Sequence, residues 1–469
     1  MQAHARCLLT FALLLITASA WAQTTDDPLP PIDDREPVVV DVAEFATLPM
    51  VDGQTPRMMN LVDELATGRM FVNGMRGPIW AVSYEGEVGE YINIADPQWE
   101  VNVASGGREQ GFQNFAFHPQ YGRPGTPGYG RFYTWTDVEA DGSPVDFTTP
   151  QEGASHHTVL LEWVDSNPGN DTYDGEAPRE LMRFAQPFGN HNAGGLAFNP
   201  LAEEGDPDFG NLYVGVADGG AGGDPMDLSQ DLASGFGKLF RIDPRGSDSR
   251  NGAYGIPDDN PLVDQSGALN EIYAYGMRNP QRFGWDPATG RLYLADIGQN
   301  TVEEVSLVPR GGNLGWNDWE GSFRYVGREG VSISGVRGNP DITYPVAEYS
   351  HREPLLGGRA AVTGVVVYRN GEIPQLRDRL IFADFPSGEI FLIDADNLPE
   401  GGSEGITRML LRDGGGQSLT FLELIQQKNE EQGRNPARRT DLRMNRGPDN
   451  RVFLLNKHDA TIRVLVPER

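Results

Sequence analysis

The chain has 469 residues and a formal net charge of −29, from 67 acidic and 38 basic side chains. Such an excess of negative charge repels nucleic-acid phosphates and anionic membrane surfaces, so we expect neither as a partner. The one cysteine, Cys7, lies close to the start of the chain, so the remainder has no disulfide and no thiolate chemistry. The content of 58 glycines and 34 prolines is typical of an all-β protein rich in loops.

The N-terminal residues are typical of a secretory signal. Arg6 supplies a positive charge, Leu8–Ala20 is a short apolar run, and a small-residue cleavage site at Ala22 precedes Gln23. The apolar run is shorter than a bilayer-spanning helix requires, and no later stretch is long enough. A membrane anchor is the alternative interpretation. We therefore expect a signal peptide over residues 1–22 and a periplasmic or secreted mature protein.

Two further segments follow the predicted signal. Residues 23–36 are polar and proline-rich, which indicates a flexible lead-in. Residues 37–469 are predicted to form one domain. Helical patterns stand out within it at Phe421–Glu431 and at residues 56–65.

One pattern recurs through the predicted domain. An apolar run reaches a Pro or Gly turn, and a second run rich in Leu, Tyr, Phe and Val follows; clear copies begin at Phe115, Leu196 and Phe283. The alternation within these runs predicts short strands. About six copies, spaced roughly 50–90 residues apart, favour a β-propeller whose blades bury their faces against one another.

A histidine and an aspartate occupy adjoining strand ends. His191 stands in a glycine-rich loop just before a strand, and Asp218 ends the strand predicted to pair with it. An accessible imidazole takes up protons near neutral pH, and a carboxylate fixes its tautomer and stabilises its protonated form. The alternatives are a histidine that only hydrogen-bonds loop backbone and an aspartate that caps its own turn.

Two more polar clusters follow. Arg278 lies between Gly276 and Pro280, and its planar, permanently charged group suits a carboxylate or a quinone oxygen. A structural salt bridge is the alternative. The turn Gly298–Glu304 offers backbone carbonyls and two carboxylates, which are ligands that calcium prefers, although a solvated acidic hairpin has the same composition.

Several ordered blocks together resemble the glucose/sorbosone dehydrogenase family, and the match covers most of residues 60–465. The blocks that carry the resemblance are GFQNFAFHP (111–119), HNAGGLAFNP (191–200), LYVGVADGGAGGDP (212–225), GKLFRIDP (237–244), YGMRNPQRFGWDPATGRLYLADIGQNTVEEV (275–305) and GGNLGWNDWEG (311–321). The resemblance implies an all-β, six-bladed β-propeller of four-stranded antiparallel blades. It also implies pyrroloquinoline quinone (PQQ) and calcium as cofactors on the top face.

The resemblance also implies roles for individual residues. His191 is implied to take the proton of the sugar's anomeric hydroxyl, Asp218 to orient His191, and Arg278 to polarise the quinone. Further positions near the quinone are implied to be Glu109, Gln110, Asn279, Gln281 and Arg443. Arg443 belongs to a block whose spacing differs from that of the family's arginine pair. The implied calcium ligands are Gly298 and Gln299, with Glu303 and Glu304 beside a second metal position.

These inferences predict an exported, quinone-dependent dehydrogenase that oxidises an aldose-type sugar to its lactone. Its expected partners are the sugar and an external electron acceptor. The alternatives are a non-catalytic propeller that binds carbohydrate or protein and a calcium-dependent, lactonase-like hydrolase. The sequence does not specify the sugar, the acceptor or the oligomeric state, and a homodimer is one arrangement that it leaves open.

Overall fold

A computed structural model describes residues 23–192, 194–414 and 416–468 of the chain. The predicted signal peptide and Cys7 lie outside these residues. The described part is built almost entirely of strands, which confirms the all-β prediction. The strands are β1 (Thr24–Thr25), β2 (Val38–Thr47), β3 (Met58–Glu64), β4 (Arg69–Gly74), β5 (Pro78–Ser83), β6 (Val88–Asn93), β7 (Phe112–Phe117), β8 (Arg131–Val138), β9 (His156–Val164), β10 (Arg179–Gln186), β11 (Leu196–Phe198), β12 (Leu212–Val216), β13 (Lys238–Ile242), β14 (Ile272–Tyr275), β15 (Pro280–Trp285), β16 (Leu292–Asp296), β17 (Val302–Leu307), β18 (Trp319–Glu320), β19 (Phe323–Tyr325), β20 (Val331–Ser332), β21 (Ala347–Ser350), β22 (Val362–Tyr368), β23 (Arg379–Asp384), β24 (Ile390–Asp394), β25 (Thr407–Arg412), β26 (Ser418–Leu419), β27 (Arg443–Arg446), β28 (Val452–Leu455) and β29 (Thr461–Val466).

The helix predicted at Phe421–Glu431 is present as α1 (Phe421–Glu431). The helix predicted over residues 56–65 is wrong: the segment contains strand β3, which pairs with β4 and buries side chains on both faces of the sheet. Helix α1 begins with a capping box: Thr420 Oγ1 accepts from the backbone N–H of Glu423 at 3.2 Å, and the Glu423 carboxylate accepts from the backbone N–H of Thr420 at 2.7 Å. Leu424 and Ile425 bury the inner face of the helix in a core cluster shared with the last strands. Among the described residues, no helix has the length and apolar character needed to cross a membrane.

The main strands form antiparallel groups of four. Four separate sheets have the orders β3-β4-β5-β6, β10-β9-β8-β7, β11-β12-β13-β14 and β15-β16-β17-β21. A larger sheet contains β22-β23-β24-β25 and β2-β29-β28-β27, and the parallel pairing of β2 with β25 joins the two groups. The strand β2, from near the start of the described chain, thus completes a group that contains the last three strands. The pairing of β2 with β29 joins the two ends of the described chain.

The groups follow one another around a closed ring. In turn, β3 contacts β7, β7 contacts β11, β12 contacts β15, β15 contacts β22, β22 contacts β27, and β27 returns to β3. Apolar side chains fill the space between neighbouring sheets. Phe71, Phe115 and Phe132, for example, are fully buried between the first two sheets, so truncating any one of them to alanine should cost about 3–5 kcal/mol of stability.

Residues 23–36, predicted as a flexible lead-in, contact the ring in this structure. Strand β1 pairs with β20 in a small additional sheet. Ser350 Oγ donates to the Asp27 carboxylate at 2.8 Å, the Ile32 backbone N–H donates to Glu353 at 2.8 Å, and Ser403 Oγ donates to the Pro30 carbonyl at 2.6 Å. The flexibility of the segment in solution stays a prediction.

Candidate active site

The predicted site residues come from strand ends at one edge of the ring. In the sheet β11–β14, antiparallel pairing places the start of β11, the end of β12, the start of β13 and the end of β14 at the same edge. His191 precedes β11, Asp218 follows β12, and Arg278 follows β14. Side chains on different loops therefore meet above a rigid sheet, as is usual for binding and catalytic sites.

His191 and Asp218 form a direct pair. The Nδ1 atom of His191 lies 2.6 Å from Oδ1 of Asp218, and both side chains are buried. The backbone of His191 has a φ of +56°, an uncommon value for a residue with a side chain. The Glu109 carboxylate accepts the backbone N–H of His191 at 2.8 Å and so helps to hold this conformation. The bond at Nδ1 leaves Nε2 as the ring nitrogen available to a substrate.

The remaining contacts of Asp218 hold its carboxylate in place. Its Oδ2 accepts the indole N–H of Trp316 at 2.9 Å, and its Oδ1 also accepts the backbone N–H of Gly220 at 2.9 Å. Burial raises the pKa of Asp218, but the charge and hydrogen bond of His191 and the charge of Arg278 outweigh that effect, so its pKa lies below the usual value. Asp218 is therefore a buried anion whose charge is compensated by its neighbours.

Arg278 is attached to the same cluster through Trp316. Its guanidinium lies over the Trp316 ring, 5.7 Å from the centroid, and donates to Gln299 Oε1 at 3.1 Å and to the Ile297 carbonyl at 2.9 Å. The Arg278 carbonyl accepts the backbone N–H of Asp218 at 2.9 Å. Arg278 therefore contacts protein groups on several sides, and its described contacts include no carboxylate ion pair of the kind that the salt-bridge interpretation required.

The buried carboxylate of Asp296 fixes the backbone on which Arg278 stands. It accepts the backbone N–H of Arg278 at 2.8 Å and that of Asn279 at 2.6 Å. Burial raises the pKa of Asp296 to about 7, although these two hydrogen bonds and the charge of Arg278 act in the opposite direction. The loop that carries Arg278 and Asn279 is therefore held by the last residue of the neighbouring strand β16.

The residues implied to contact the quinone lie beside this cluster. Gln110 donates through Nε2 to Nδ1 of the buried His156 at 2.9 Å. The Gln281 amide lies 3.4 Å from Asn279 Oδ1 and also 3.4 Å from an Arg443 Nη atom. Gln281 therefore connects the Arg278 loop to Arg443 at the start of β27. Glu109, which binds the His191 backbone, adds a negative charge that acts on Arg443 as well.

Arg443 belongs to a buried cationic group that the sequence interpretation largely missed. Its guanidinium lies 4.0 Å from the Phe385 ring centroid, and the ammonium of Lys457 lies 5.5 Å from the same centroid. Burial lowers the pKa of both Arg443 and Lys457 well below the usual values, and burial lowers the pKa of Arg282 to about 10. The Nε atoms of Arg443 and Arg282 are buried without a hydrogen-bond partner. Buried donors of this kind fit an anionic ligand.

The predicted metal turn lies next to Arg278, and the side chains of Gln299 and Glu303 already have protein partners. The Gln299 side chain bridges Arg278 to the backbone N–H of Gly223. The Glu303 carboxylate accepts the backbone N–H groups of Gly298 and Val362, and its other oxygen lies 2.7 Å from His351 Nε2. Glu304 is buried, and its Oε2 has no hydrogen-bond partner.

The side chains of the turn offer few free ligands for a cation. In the described ranges, no three Asp, Glu, His or Cys side chains converge as a metal site would require. The unpartnered Glu304 oxygen does fit a cation, and carbonyl groups of the turn are of the donor type that calcium prefers. A calcium ion here would therefore depend on backbone carbonyls more than on a cluster of carboxylates.

Sequence reasoning missed several residues that shape the site, mainly Trp316, Glu320, Arg282 and Lys457. Trp316 lies in one of the recognised blocks, yet its partner Asp218 is 98 residues away. Glu320 Oε1 accepts four successive backbone N–H groups of the metal turn, from residues 299 to 302, at 2.8–3.1 Å. The available signals were a tryptophan in a polar loop and two isolated cations, Arg282 within β15 and Lys457 just after β28.

The chain is similar to known proteins over much of its length. A family model described as Glucose / Sorbosone dehydrogenase matches residues 54–412. The HIPL1 protein of Arabidopsis thaliana is 32% identical over 306 residues, which cover 59% of this chain and 43% of that protein. The Aldose sugar dehydrogenase YliI of Escherichia coli K12 is 28% identical over 218 residues, which cover 46% of this chain and 51% of that protein. The matched regions thus amount to less than two thirds of either relative's length.

Solved structures share the fold. The PQQ-bound form of Aldose Sugar Dehydrogenase from Streptomyces coelicolor aligns with a TM-score of 0.55 and 21% identity, over 91% of this chain and 97% of that one. At this identity the likeness establishes the all-β, propeller-type fold and nothing finer. The match to the family model confirms the resemblance that the sequence blocks indicated.

Proposed function

The chain belongs to the glucose/sorbosone dehydrogenase family, and on this premise we propose that it is a PQQ-dependent dehydrogenase that oxidises an aldose-type sugar to its lactone. The observation that carries the proposal is the buried His191–Asp218 pair, held beside Arg278 at the edge where the cationic group of Arg443 and Lys457 also lies. A base, a charge that orients it and a set of anion-binding donors are what this oxidation requires.

The proposal includes a six-bladed propeller as the scaffold. The groups of four antiparallel strands and their closed order of contacts support this blade count. Strand β2, completing the group that contains β27–β29, would then close the ring. A closed ring has no exposed sheet edge between neighbouring blades, and it brings loops from distant parts of the sequence over one central space.

His191 would act as the general base. With its Nδ1 proton directed at Asp218, the free pair on Nε2 takes the proton of the sugar's anomeric hydroxyl as that oxygen forms the lactone carbonyl. The imidazole becomes cationic as a result, and the buried Asp218 anion stabilises it at a distance of 2.6 Å. The hydrogen on the anomeric carbon would leave with its electron pair, and the chemistry that bound PQQ would supply is that of the hydride acceptor.

Arg443, Arg282 and Lys457 would hold the carboxylates of PQQ. Their buried positive charges and the unpartnered Nε atoms of Arg443 and Arg282 fit a ligand that carries several carboxylates. We assign Asn279, Gln281, Glu109 and Gln110 to the polar wall of the same site, since Gln281 contacts Arg443 and Glu109 binds the backbone of His191. Calcium is assigned to the carbonyls of Gly298 and Gln299, with the free oxygen of Glu304 as a further donor.

The test is reduction of a redox dye by purified protein with a panel of aldoses, with and without added PQQ and calcium. We expect reduction only with PQQ, and its loss in His191→Ala. The matched control is His118→Asn, because His118 is equally buried but follows the far end of β7 and binds the backbone of Gln120 instead. Equal activity in His191→Ala and the wild type would overturn the assignment.

A second candidate is a non-catalytic propeller that binds carbohydrate or protein. It is favoured by the relative HIPL1, whose name states no reaction although its identity of 32% exceeds that of the named dehydrogenase YliI. Sugar binding without dye reduction, measured by calorimetry in the presence of PQQ, would establish this candidate. Opening of a lactone without PQQ would instead indicate the hydrolase alternative.

The proposal also covers export, the electron acceptor and the oligomeric state. An exported protein would pass electrons to an external acceptor in the periplasm or medium. Cell fractionation and N-terminal sequencing of the mature protein test export and cleavage before Gln23. Sedimentation of the purified protein tests whether it is a homodimer.

A further inference from the structure

Lys238 is a buried lysine surrounded by backbone carbonyl groups, and burial lowers the pKa of its amine to about 7. It opens strand β13 and has no exposed surface. Its ammonium donates to the carbonyls of Leu228 at 2.9 Å, Ser229 at 3.0 Å and Phe236 at 2.6 Å. These three acceptors use all three N–H groups that a lysine offers. Because a buried charge is costly and an apolar side chain would fill the same space, Lys238 calls for an explanation other than packing.

No carboxylate in the described part of the chain forms an ion pair with Lys238. The nearby Asp224 is occupied by the backbone N–H groups of Leu228 and Ser229, at 3.0 and 2.8 Å. The loop from Asp224 to Phe236 therefore has its amide groups held by an anion and its carbonyl groups held by a cation. This is the arrangement by which a bound metal ion orders a loop, with an ammonium group in place of the ion.

The same loop supports the segment that leads to Arg278. The Ser229 carbonyl, one of the three acceptors of Lys238, also accepts the backbone N–H of Gly276 at 3.2 Å, and Ser229 Oγ donates to the Met277 carbonyl at 3.0 Å. In the sheet, Lys238 pairs with Val216 on one side and Tyr275 on the other. Those two strands end just before Asp218 and Arg278, so the strand that begins with Lys238 lies between the two strands that lead to these residues.

The loop also reaches Trp316. Gln230 donates to the Trp316 carbonyl at 2.6 Å and exchanges hydrogen bonds with Asn313 at 3.0 and 2.8 Å. The Trp316 indole in turn donates to Asp218. Gly276 has a φ of +74°, and a Cβ there would lie 2.2 Å from Asn313 Oδ1, so the backbone approaches this pair closely.

We infer that Lys238 is a positioning residue for the proposed reaction: its ammonium orders the loop from Asp224 to Phe236, and that loop fixes Asp218, Arg278 and Trp316 relative to one another. The inference rests on the proposed function for its catalytic consequence. The ordering of the loop is a separate property that can be measured without PQQ or sugar.

The first test is hydrogen exchange on the apo protein, comparing the wild type with Lys238→Met, which keeps the length of the side chain and removes its charge. The control is Lys428→Met, because Lys428 forms only surface ion pairs, with Glu44 and Glu431. We expect exchange over residues 224–237 and 276–278 to accelerate by about tenfold or more in Lys238→Met, since hydrogen bonds to a charged group are lost. Exchange at these residues should be unchanged in Lys428→Met, and unchanged exchange in Lys238→Met would overturn the inference.

The second test measures turnover with PQQ, calcium and the best sugar of the panel. A positioning role predicts a lower kcat in Lys238→Met at nearly unchanged KM, and partial recovery in Lys238→Gln, which keeps a donor for the carbonyls. An unchanged kcat alongside faster exchange would overturn the positioning role. If Lys238→Met does not fold, Lys238→Gln decides by the same two measurements. If the wild type reduces no dye, the proposed function fails, and exchange alone then supports or overturns the ordering of the loop.

Discussion

Replacing Asp218 by asparagine probes the proposed base directly. The carboxylate accepts from His191 and Gly220 at Oδ1 and from Trp316 at Oδ2. An asparagine must place its NH₂ group at one of these two positions. At Oδ2 it opposes the indole N–H, and at Oδ1 it opposes the N–H of Gly220 and requires the His191 proton to move to Nε2, which removes the base. Either orientation therefore disturbs the pair.

The expected loss follows from the charge that Asp218 carries. When His191 takes a proton, its ring charge and the carboxylate charge lie roughly 4 Å apart, which corresponds to about 4 kcal/mol at an effective dielectric constant of about 20. Losing that stabilisation lowers kcat by about a thousandfold. KM should change little, because Asp218 contacts the side of the ring that faces away from the substrate.

The assay is steady-state dye reduction by protein loaded with PQQ and calcium. Asp165→Asn is the matched control, because Asp165 is equally buried but binds Tyr91 and Tyr121 beyond the end of β9, away from the site. The control is expected to lose stability and to retain kcat. A kcat for Asp218→Asn within about tenfold of the wild type, at every pH tested, would refute the argument.

Three further outcomes are expected. Arg443→Met should weaken PQQ binding by about 10–100-fold, as calorimetry would measure, and unaltered affinity would contradict the assignment. Thermal unfolding of the apo protein should give an unchanged or higher midpoint, because burial lowers the pKa of Arg443 and its charge therefore opposes folding. Glu320→Gln should lower the free energy of unfolding by about 1.5–3 kcal/mol in urea titrations, because one carboxylate oxygen accepts four backbone N–H groups of the metal turn. An unchanged unfolding midpoint would show that these hydrogen bonds are dispensable. The pKa of Asp218 is lowered on folding, so its charge stabilises the fold above the unfolded pKa of about 3.9, and that contribution is lost as the pH falls through the folded pKa. The difference in unfolding free energy between the wild type and Asp218→Asn should therefore shrink as the pH is lowered from 7 to 3. A constant difference would count against a charged Asp218.

Local features of the sequence predicted much of the fold. The alternation in runs such as those from Phe115 and Phe283 produced strands, and the helical pattern over Phe421–Glu431 produced the helix, whereas residues 56–65, also predicted as a helix, contain strand β3. His191 and Asp218 were found because the strands on which they lie are neighbours in the chain, so that pairing alone brings them together. The segment 23–36 was expected to be flexible from its composition, which carries no information on where a strand as short as β1 docks.

The parts that sequence reasoning missed depend on contacts between distant segments. Trp316 reaches Asp218 across 98 residues. The buried cations come from three separate segments: Arg443 of β27 and Lys457 after β28 meet at Phe385, and Arg282 of β15 acts on Arg443 through its charge. In the sequence, Lys238 is an ordinary polar residue at the start of a strand. Its acceptors are backbone carbonyls, which every residue has, so the pattern of side chains does not indicate them. The resemblance implies that Glu303 lies beside a second metal position, which stays a prediction, and the partners that the structure gives it, His351 and two backbone N–H groups, were not foreseen.

The most direct test of the account is a single-turnover experiment without oxygen. The protein is loaded with PQQ and calcium, mixed with an aldose in a stopped-flow instrument, and followed through the absorbance of the oxidised quinone. The account predicts that the absorbance falls with at least one aldose, that one equivalent of lactone forms, and that the rate drops about a thousandfold in Asp218→Asn. Tight PQQ binding with no absorbance change for any sugar, or equal rates in the two proteins, would contradict it.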